Sequence, residues 1–353
     1  MSAPTLADVS IAGRPIGPDH PPYVIAEMSG NHNGDIGRAF ALIEAARAAG
    51  ADAVKLQTYT ADTITIDHDG PGFIVQGGLW DGRKLHELYQ EAHTPWDWHE
   101  RLFAKAREVG IAIFSSPFDP TAVDFLEGLG APAFKVASFE IVDTPLVAKM
   151  AQTGKPLIIS TGLASPEDIA DAVAAARGAG GNALILLHCT SGYPTPASQM
   201  HLRTMGDLAA AHGTLVGLSD HTMGTAVAVA AVALGACVIE KHFTLARADG
   251  GVDSAFSLEP DELARLVADC RDAWSALGSV HYEEVEAEAA GRDHRRSLYV
   301  VADVAKGEVL SEANVRSIRP GHGLAPKHLY AVLGRTASRD LKRGEPLAWD
   351  LIG

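Results

Sequence analysis

The stretch Leu215–Phe243, LVGLSDHTMGTAVAVAAVALGACVIEKHF, contains the repeating unit of this chain. One short apolar run, Leu215–His221, ends in Ser, Asp and His, and a second, Cys237–Phe243, contains Glu, Lys and His. Between them lies an alanine-rich segment with helical periodicity, Thr222–Leu234, which is followed by Gly235. A strand, a helix and a strand of these lengths predict a βαβ unit with two parallel strands.

The same alternation recurs along most of the chain. The other predicted strands are Tyr23–Ser29, Ala53–Tyr59, Ile111–Pro117, Ala133–Ser138, Pro156–Thr161 and Ala183–Cys189. Helical patterns lie between them, including Asp35–Ala49, Thr94–Val109 and Pro166–Arg177, and Pro260–Leu277 follows the last strand. Eight such units in about 260 residues predict an α/β fold, a (β/α)8 TIM barrel. A doubly wound open sheet is the alternative, but the strand count favours the barrel.

Two segments depart from this repeat. The insertion Thr60–His93 carries Phe73, Leu79, Trp80 and Tyr89, which predict an ordered segment packed over the barrel mouth. Towards the end of the chain, EEVEAEAAGRDHRR lacks an apolar face and predicts a linker, after which short apolar strands alternate with glycine turns. We therefore predict a barrel domain at 1–282, a linker at 283–296 and a compact, mostly β domain at 297–353.

The composition of the 353 residues narrows the classes of function. A hydrophobic share of 47% and a charged share of 21% are typical of a folded protein. The net charge of -15 disfavours a nucleic-acid-binding protein, which normally presents a basic face. An anionic small substrate then requires a locally positive pocket.

We predict a cytoplasmic protein without a membrane partner. No apolar run approaches the ~18–20 residues of a spanning helix. The start MSAPTLADVSIAGRP lacks the apolar core of a signal peptide. The cysteines Cys189, Cys237 and Cys270 form no C-x-x-C pair and are expected to be reduced.

Almost every predicted barrel strand ends in polar residues, although barrel strands are otherwise apolar. These residues are Glu27, Ser29, Asn31, His32, Lys55, Gln57, Thr58, Ser115, Ser116, Lys135, Ser138, Glu140, Ser160, Thr161, His188, Thr190, Ser191, Ser219, Asp220, His221, Glu240, Lys241 and His242. The carboxyl ends of the strands form the catalytic face of TIM-barrel enzymes. Burying so many polar groups without a ligand is costly, so the pattern predicts an enzyme.

Two histidines on neighbouring strands are candidate metal ligands. His221 and His242 end strands that are roughly 4.8 Å apart in a sheet, so their imidazoles can share a divalent ion. Two ligands leave coordination positions open, which suits a Lewis-acid metal such as Mn2+ better than a structural zinc. Two hydrogen-bonding histidines are an equally good explanation of the spacing.

Two lysines are candidates for binding an anion. Lys55 and Lys135 are expected to face the barrel axis, where they and Ser116, Ser138, Ser160 and Ser219 can form a phosphate and carboxylate cradle. The alternative is that each lysine pairs with a nearby glutamate.

Three glutamates near the predicted mouth, Glu27, Glu140 and Glu240, are candidates for proton transfer and hydroxyl positioning. Lys135 and Glu140 are five residues apart, so a straight strand would place them on opposite faces. A bend or bulge after Ala137 is therefore required if both line the site.

The motifs IAEMSGNHNGD, AVKLQT, FSSPFD, KVASFE, STG, HCTSGYPTP, GLSDHT and EKHFT make the chain resemble the sialic acid synthase family over nearly its whole length. The C-terminal domain looks like the antifreeze-protein-like (SAF) domain of these enzymes. TPWDWH, KVASFEIVDTPL, SGYPTP and GGVDSAFSLEPDE resemble the branch that makes pseudaminic acid.

The resemblance implies a role for each candidate. His221 and His242 match metal ligands, with Mn2+ expected and Mg2+ or Co2+ as alternatives. Glu27 and Glu240 match acidic residues beside the reacting carbons. The residues that match the phosphoenolpyruvate site are Lys55, Ser116, Lys135, Ser138, Ser160 and Ser219. Those that match sugar contacts are Gln57, Tyr193 and Asp253. The family forms head-to-tail homodimers, in which an SAF-domain arginine, matched by Arg319, reaches the partner's sugar pocket.

The implied reaction joins phosphoenolpyruvate, water and 2,4-diacetamido-2,4,6-trideoxy-L-altrose to give pseudaminic acid and phosphate by C–O cleavage. Phe139 and Ser191 stand where N-acetylneuraminate synthases have Gly and Asn, which disfavours N-acetylmannosamine as the substrate. N-acetylneuraminate and legionaminic acid synthases are the nearest alternatives. More distant ones are a Schiff-base aldolase using Lys135, a shikimate-pathway type of synthase and a sugar-binding module.

Overall fold

The computed structural model describes residues 7–353; residues 1–6, the start of the predicted barrel domain, lie outside the described part. The chain separates into two compact units, Met1–Gly278 and Ser279–Gly353. The division falls after Gly278, whereas the sequence placed the end of the barrel domain at residue 282.

The first unit is built around a closed barrel of eight parallel strands, which confirms the predicted fold. An antiparallel hairpin precedes it, formed by β1 (Val9–Ile11) and β2 (Arg14–Ile16). The barrel strands are β3 (Tyr23–Glu27), β4 (Ala53–Thr58), β5 (Ala112–Pro117), β6 (Phe134–Val136), β7 (Leu157–Ser160), β8 (Leu184–Cys189), β9 (Leu215–Asp220) and β10 (Val238–His242). They pair in chain order, and β10 closes the barrel against β3.

Helices connect the strands and surround them. Their bounds are α1 (Ile36–Ala48), α2 (Ala61–Ile64), α3 (Leu85–Ala92), α4 (His99–Val109), α5 (Pro120–Gly128), α6 (Thr144–Gln152), α7 (Pro166–Gly178), α8 (Thr204–His212), α9 (Ala226–Ala233) and α10 (Pro260–Leu277). Local chemistry fixes several starts: Asp119 caps α5, and Ser165 with Asp168 forms a capping box at α7, with Pro in the first turn of both.

Alternation along each strand separates two hydrophobic cores. Residues such as Ile25, Phe114 and Ile185 point into the barrel and form an inner cluster, which the hairpin residues Val9 and Ile11 join. The alternate strand residues pack outward against the helices in a larger cluster. Successive side chains of a strand point to opposite faces, so every second residue points into the barrel; we call this alternation the inner parity. It extends into the polar strand ends and determines which of those side chains face the barrel axis.

The insertion between β4 and α4 is ordered, as predicted. It contains α2 and α3, and the Trp80 indole N–H donates to the carbonyl of Val252 at 2.9 Å. The Trp80 ring also lies 5.6 Å from the ring of Tyr193, between centroids. The insertion therefore packs on the segments that follow β8 and β10, at the carboxyl end of the barrel.

The second unit is a small, mostly β domain with a short helix. A 3-10 helix, Glu286–His294, occupies the predicted linker and precedes β11 (Ser297–Val300). This strand pairs antiparallel with β12 (Val315–Ile318), and α11 (Leu329–Val332) follows. The unit has its own core, which includes Leu298, Leu310 and Leu347. In residues 7–353, no helix is long and apolar enough to cross a membrane.

Candidate active site

The inner parity brings the polar strand ends of the barrel together. Ten of the candidate residues share it: Glu27, Lys55, Gln57, Ser116, Lys135, Ser160, Ser219, His221, Glu240 and His242. Most of them are buried, so their charges and hydrogen bonds act in a medium of low dielectric constant. Their side chains line the axis at the carboxyl ends of the strands, where TIM-barrel active sites lie.

Lys55 lies between two carboxylates. Its Nζ is 2.7 Å from Oε2 of Glu27, 3.7 Å from Oε1 of Glu240 and 3.3 Å from Oγ of Ser116. Although burial opposes the charged form, Glu240 and Glu27 raise the pKa of Lys55 above its ordinary value. Lys55 therefore forms the ion pair with glutamate that the sequence left open as an alternative.

Lys135 has no such partner. Its Nζ donates to Oγ of Ser160 at 2.6 Å and to the carbonyl of Val136 at 2.9 Å, and it forms no salt bridge within residues 7–353. The side chain is only 2% exposed, and burial lowers the pKa of its ammonium group. The charge of Glu240 opposes this effect, but no carboxylate within residues 7–353 forms a salt bridge with Lys135, so Lys135 can supply positive charge to an anionic ligand.

The serine hydroxyls lie around the two lysines. Ser219 donates to Oε1 of Glu240 at 3.4 Å, and Ser138 accepts the N–H of Gly162 at 3.2 Å. A Cβ on Gly162 would lie 2.3 Å from Oγ of Ser191 and 2.7 Å from Oγ of Ser138, so any larger residue would require these hydroxyls to shift. Gly162 belongs to the STG motif, but its steric role follows from the fold and was not predicted.

The two histidines face each other with ring centroids 5.3 Å apart. Nδ1 of His221 contacts the carbonyl of Thr190 at 3.0 Å, which makes Nε2 the ring nitrogen with a free lone pair. Nδ1 of His242 is buried and has no hydrogen-bond partner among residues 7–353, and burial keeps the pKa of His242 well below its ordinary value.

Although burial opposes the charged form, the contact with Cys189 raises the pKa of His221 above its ordinary value. Imidazole nitrogens, which lose their proton when they bind a metal, fit a divalent metal ion. Within residues 7–353, no cluster of three or more His, Cys, Asp or Glu side chains is arranged to hold a metal. A metal bound by His221 and His242 would therefore keep coordination positions for substrate oxygens and water.

Several polar strand-end residues face outward and are satisfied by protein partners. Asp220 and Lys241 form a buried ion pair of 2.6 Å behind the histidines. Thr58 contacts His99 at 2.8 Å and Ser115 at 2.7 Å. These side chains point away from the axis and support the barrel. The face of the strand on which a polar residue lies therefore distinguishes structural positions from candidate functional ones.

Glu140 reaches the mouth through a turn. The segment Ser138–Glu140 forms a 3-10 helix directly after the short strand β6. The predicted bend after Ala137 is therefore a helical turn, because the strand already ends at Val136. Burial raises the pKa of Glu140 to about 7, while the positive charges of Lys135 and Lys55 act in the opposite direction.

The residues matched to sugar contacts lie beside the histidines and Glu27. The Tyr193 ring is 4.4 Å from His221, and the Gln57 amide donates to Oε1 of Glu27 at 2.9 Å. Asp253 accepts a hydrogen bond from Ser29, and burial, with the charge of Glu27, raises its pKa to about 7. Their roles as sugar contacts stay predictions.

Arg319 lies in the second unit, one residue after β12. Its contact with a partner's pocket also stays a prediction.

The NeuB family matches residues 42–282 and the SAF domain matches residues 295–353. The chain therefore belongs to the NeuB family. It is 45% identical over 325 residues to the pseudaminic acid synthase of Campylobacter jejuni subsp. jejuni serotype O:23/36 (strain 81-176), across 92% of this chain and 95% of that one. Its identity to the pseudaminic acid synthase of Helicobacter pylori (strain ATCC 700392 / 26695) is 42% over 336 residues, across 94% and 98% of the two chains.

Solved structures agree with the fold. The crystal structure of N-acetylneuraminic acid (sialic acid) synthetase from Leptospira borgpetersenii serovar Hardjo-bovis, in complex with citrate, matches with a TM-score of 0.72. The match has 29% sequence identity and covers 81% of this chain and 95% of that one. This synthetase therefore shares the fold of the chain as well as part of its sequence.

Proposed function

We propose that this protein is a phosphoenolpyruvate-dependent nonulosonic acid synthase that makes pseudaminic acid. It would join phosphoenolpyruvate, water and 2,4-diacetamido-2,4,6-trideoxy-L-altrose, and release phosphate. The observation that carries the proposal is the buried Lys135, which forms no salt bridge within residues 7–353, beside Lys55 and a set of serine hydroxyls, with two histidines in the same barrel mouth. The two relatives at 45% and 42% identity carry the name of this activity.

The lysines and serines are suited to bind the phosphate and carboxylate of phosphoenolpyruvate. Both ammonium groups are held in place before substrate arrives, so little reorganisation accompanies the change in charge at the phosphate. Glu27 and Glu240, which flank Lys55, would orient hydroxyl groups or water at the reacting carbons. Glu140, whose pKa is about 7, can exchange a proton near neutral pH.

We propose that His221 and His242 hold a divalent cation, Mn2+ or in its place Mg2+ or Co2+. When bound, the cation would supply Lewis-acid polarisation of the aldehyde oxygen. His242→Ala should lose both Mn2+ binding, measured by calorimetry without substrate, and phosphate release. Full activity of the wild-type protein in excess chelator would contradict the metal role.

The identity of the sugar is tested by phosphate release from phosphoenolpyruvate with Mn2+. The altrose-configured diacetamido sugar is offered beside N-acetylmannosamine and the legionaminic precursor. Turnover of the first alone is the expected result. Preference for another sugar would overturn the pseudaminic assignment but leave the assignment as a nonulosonic acid synthase unchanged. Phe139 and Ser191, which differ from the residues of N-acetylneuraminate synthases, would then be the residues to substitute.

The bond that breaks is tested by isotope tracing. Carbon 3 of phosphoenolpyruvate attacks the aldehyde, water adds to carbon 2, and phosphate leaves with the bridging oxygen. With 18O at the bridging position, the label is expected in phosphate. Label retained in the sugar acid would contradict C–O cleavage.

A Schiff-base aldolase is the second candidate, because burial lowers the pKa of Lys135. A lysine of this kind can act as a nucleophile when neutral. Borohydride with pyruvate would trap a covalent adduct on Lys135 in an aldolase. We expect no adduct, since the nonulosonic synthase reaction needs no imine.

We also propose a head-to-tail, domain-swapped homodimer in the cytoplasm. Large apolar side chains are exposed on the loops after β6, β7 and β9: Phe139, Val142, Leu163 and Met223, at 60%, 62%, 75% and 50% exposure. Residues 295–353 carry ten Lys and Arg but six Asp and Glu, whereas the rest of the chain carries 19 and 38. An apolar rim on an acidic barrel suits a partner's basic SAF domain.

A further inference from the structure

A cleft of about 250 Å3 opens beside the insertion between β4 and α4. The residues that line the cleft include Leu79, Trp80, Arg83, Glu91, Val252 and Ala255. The insertion and the segment after β10 meet at this point, through the hydrogen bond of 2.9 Å from the Trp80 indole to the carbonyl of Val252. None of these six side chains has a role in the function proposed above.

A row of aromatic rings leads from the histidines to this cleft. The ring of His221 is 4.4 Å from that of Tyr193, which is in turn 5.6 Å from the ring of Trp80. Val252 also immediately precedes Asp253, whose carboxyl group lies near Glu27. A substrate that presents its aldehyde to the histidines would therefore extend its far end along Tyr193 towards Trp80.

The lining combines apolar contacts with one ion pair. Leu79, Val252 and Ala255 offer aliphatic surface, and Trp80 offers the face of an indole. Arg83 Nη2 lies 2.5 Å from Oε2 of Glu91, and both side chains are partly exposed. A guanidinium has five N–H donors and a carboxylate has two oxygens, so this pair still has donors and acceptors for a ligand. An amide that carries a methyl group has the complementary chemistry.

We propose that this cleft binds the acylamino group that lies farthest from the aldehyde of the aldose, and so selects diacylamino sugars over sugars with a single acylamino group. The methyl group packs on Trp80 and Val252, and the amide bonds to the Arg83–Glu91 pair. The proposal rests on the nonulosonic synthase function and deepens it, because it assigns the residues that distinguish one aldose from another.

The test fills the cleft and removes its aromatic wall in separate variants. Ala255 is exposed, so Ala255→Leu occupies the cleft without disturbing the core. Trp80→Leu removes the indole, and Trp80→Phe removes only its hydrogen bond. Ile66→Ala is the control, because Ile66 lies in the same insertion, is 57% exposed and does not line the cleft. Phosphate release is measured with the diacetamido aldose and with its analogue that lacks the distal acylamino group.

Ala255→Leu and Trp80→Leu are expected to raise KM for the diacetamido aldose about tenfold, which corresponds to roughly 1.4 kcal/mol of binding. KM for phosphoenolpyruvate and for the analogue should stay at the wild-type value, as should every constant of Ile66→Ala. Unchanged KM in both cleft variants, or an equal rise for both sugars, would overturn the assignment while leaving the function intact. A wild-type protein that releases no phosphate with any aldose would overturn the function and this assignment together.

Discussion

Two lysines with the same strand parity differ in their surroundings, and this difference is the clearest functional signal at the level of single residues. Lys55 forms salt bridges with Glu27 and Glu240, whereas Lys135 forms none within residues 7–353 and donates to a hydroxyl and a carbonyl. A buried charge without a counter-ion lowers the stability of the folded state, and binding sites tolerate this when the ligand supplies the opposite charge.

The matched variants Lys135→Met and Lys55→Met should therefore change stability in opposite directions. Lys135→Met should raise the free energy of unfolding by roughly 1–3 kcal/mol, because it removes a buried charge that has no hydrogen-bonded carboxylate in the described part of the chain. Lys55→Met should lower it by roughly 3–5 kcal/mol, because it leaves two buried carboxylates without their cation. Both should abolish phosphate release. Urea unfolding without ligand measures the difference, and destabilisation by both variants would contradict this account of Lys135.

Glu140 predicts a pH dependence of stability. Its pKa in the folded protein is about 7 against an ordinary 4.5, so its folded state favours the protonated form. The stability linked to that proton is complete below the unfolded pKa and is lost as pH rises through about 7. Glu140→Gln stays neutral, and should be more stable than wild type by roughly 1–3 kcal/mol at pH 8, with a smaller difference at pH 5. A difference independent of pH would contradict the raised pKa.

At the scale of elements, β9 shows how closely the barrel interior is packed. Gly217 points inward, and a Cβ there would lie 2.7 Å from a methyl carbon of Leu187 and 2.9 Å from Cβ of Val238. The two strands beside β9 could not move away from it without breaking the parallel ladders on both sides. The GLSDHT motif therefore begins with a glycine for steric reasons, next to the residues that carry the chemistry.

Gly217→Ala should lower the free energy of unfolding by roughly 1–3 kcal/mol through overpacking. Gly178→Ala is the matched control, because Gly178 lies in α7 and an added Cβ there meets nothing within 4 Å. The control should be neutral or slightly stabilising, since alanine favours helices. Equal effects of the two substitutions in thermal unfolding would show that the barrel interior adjusts to the extra methyl group.

At the scale of the whole molecule, the two units have different charges and separate cores. The net charge of -15 comes from the barrel and linker, since residues 295–353 are basic. This asymmetry and the exposed apolar rim support the proposed dimer, in which the SAF domain of one copy completes the site of the other.

Complementation tests that arrangement. Arg319→Ala should raise KM for the sugar and leave KM for phosphoenolpyruvate unchanged. A mixture of Arg319→Ala with His242→Ala should regain part of the activity, because a mixed dimer combines an intact barrel from one copy with an intact Arg319 from the other. Mixed dimers, verified by tags of different mass, that show no recovery would contradict a shared site.

The sequence by itself determined the eight strands, their order and the residues that face the axis. Strand side chains alternate with a period of two, so the strand bounds indicate which polar residues share a face, and Lys55 and Lys135 could be expected to face the axis. The motifs also indicated the family, because so many polar residues at the strand ends occur in a fixed order.

The tertiary structure decided which of these polar groups are paired. It showed a salt bridge to glutamate for Lys55 and, within residues 7–353, none for Lys135. It gave the bend after Ala137 the form of a 3-10 turn and placed Trp80 against Val252. Such contacts join distant parts of the chain: Ser29 and Asp253, for example, are 224 residues apart. Local periodicity determines the face of the strand on which a side chain lies. Only the closed barrel determines which groups that side chain contacts, and those contacts determine its protonation state and its chemistry.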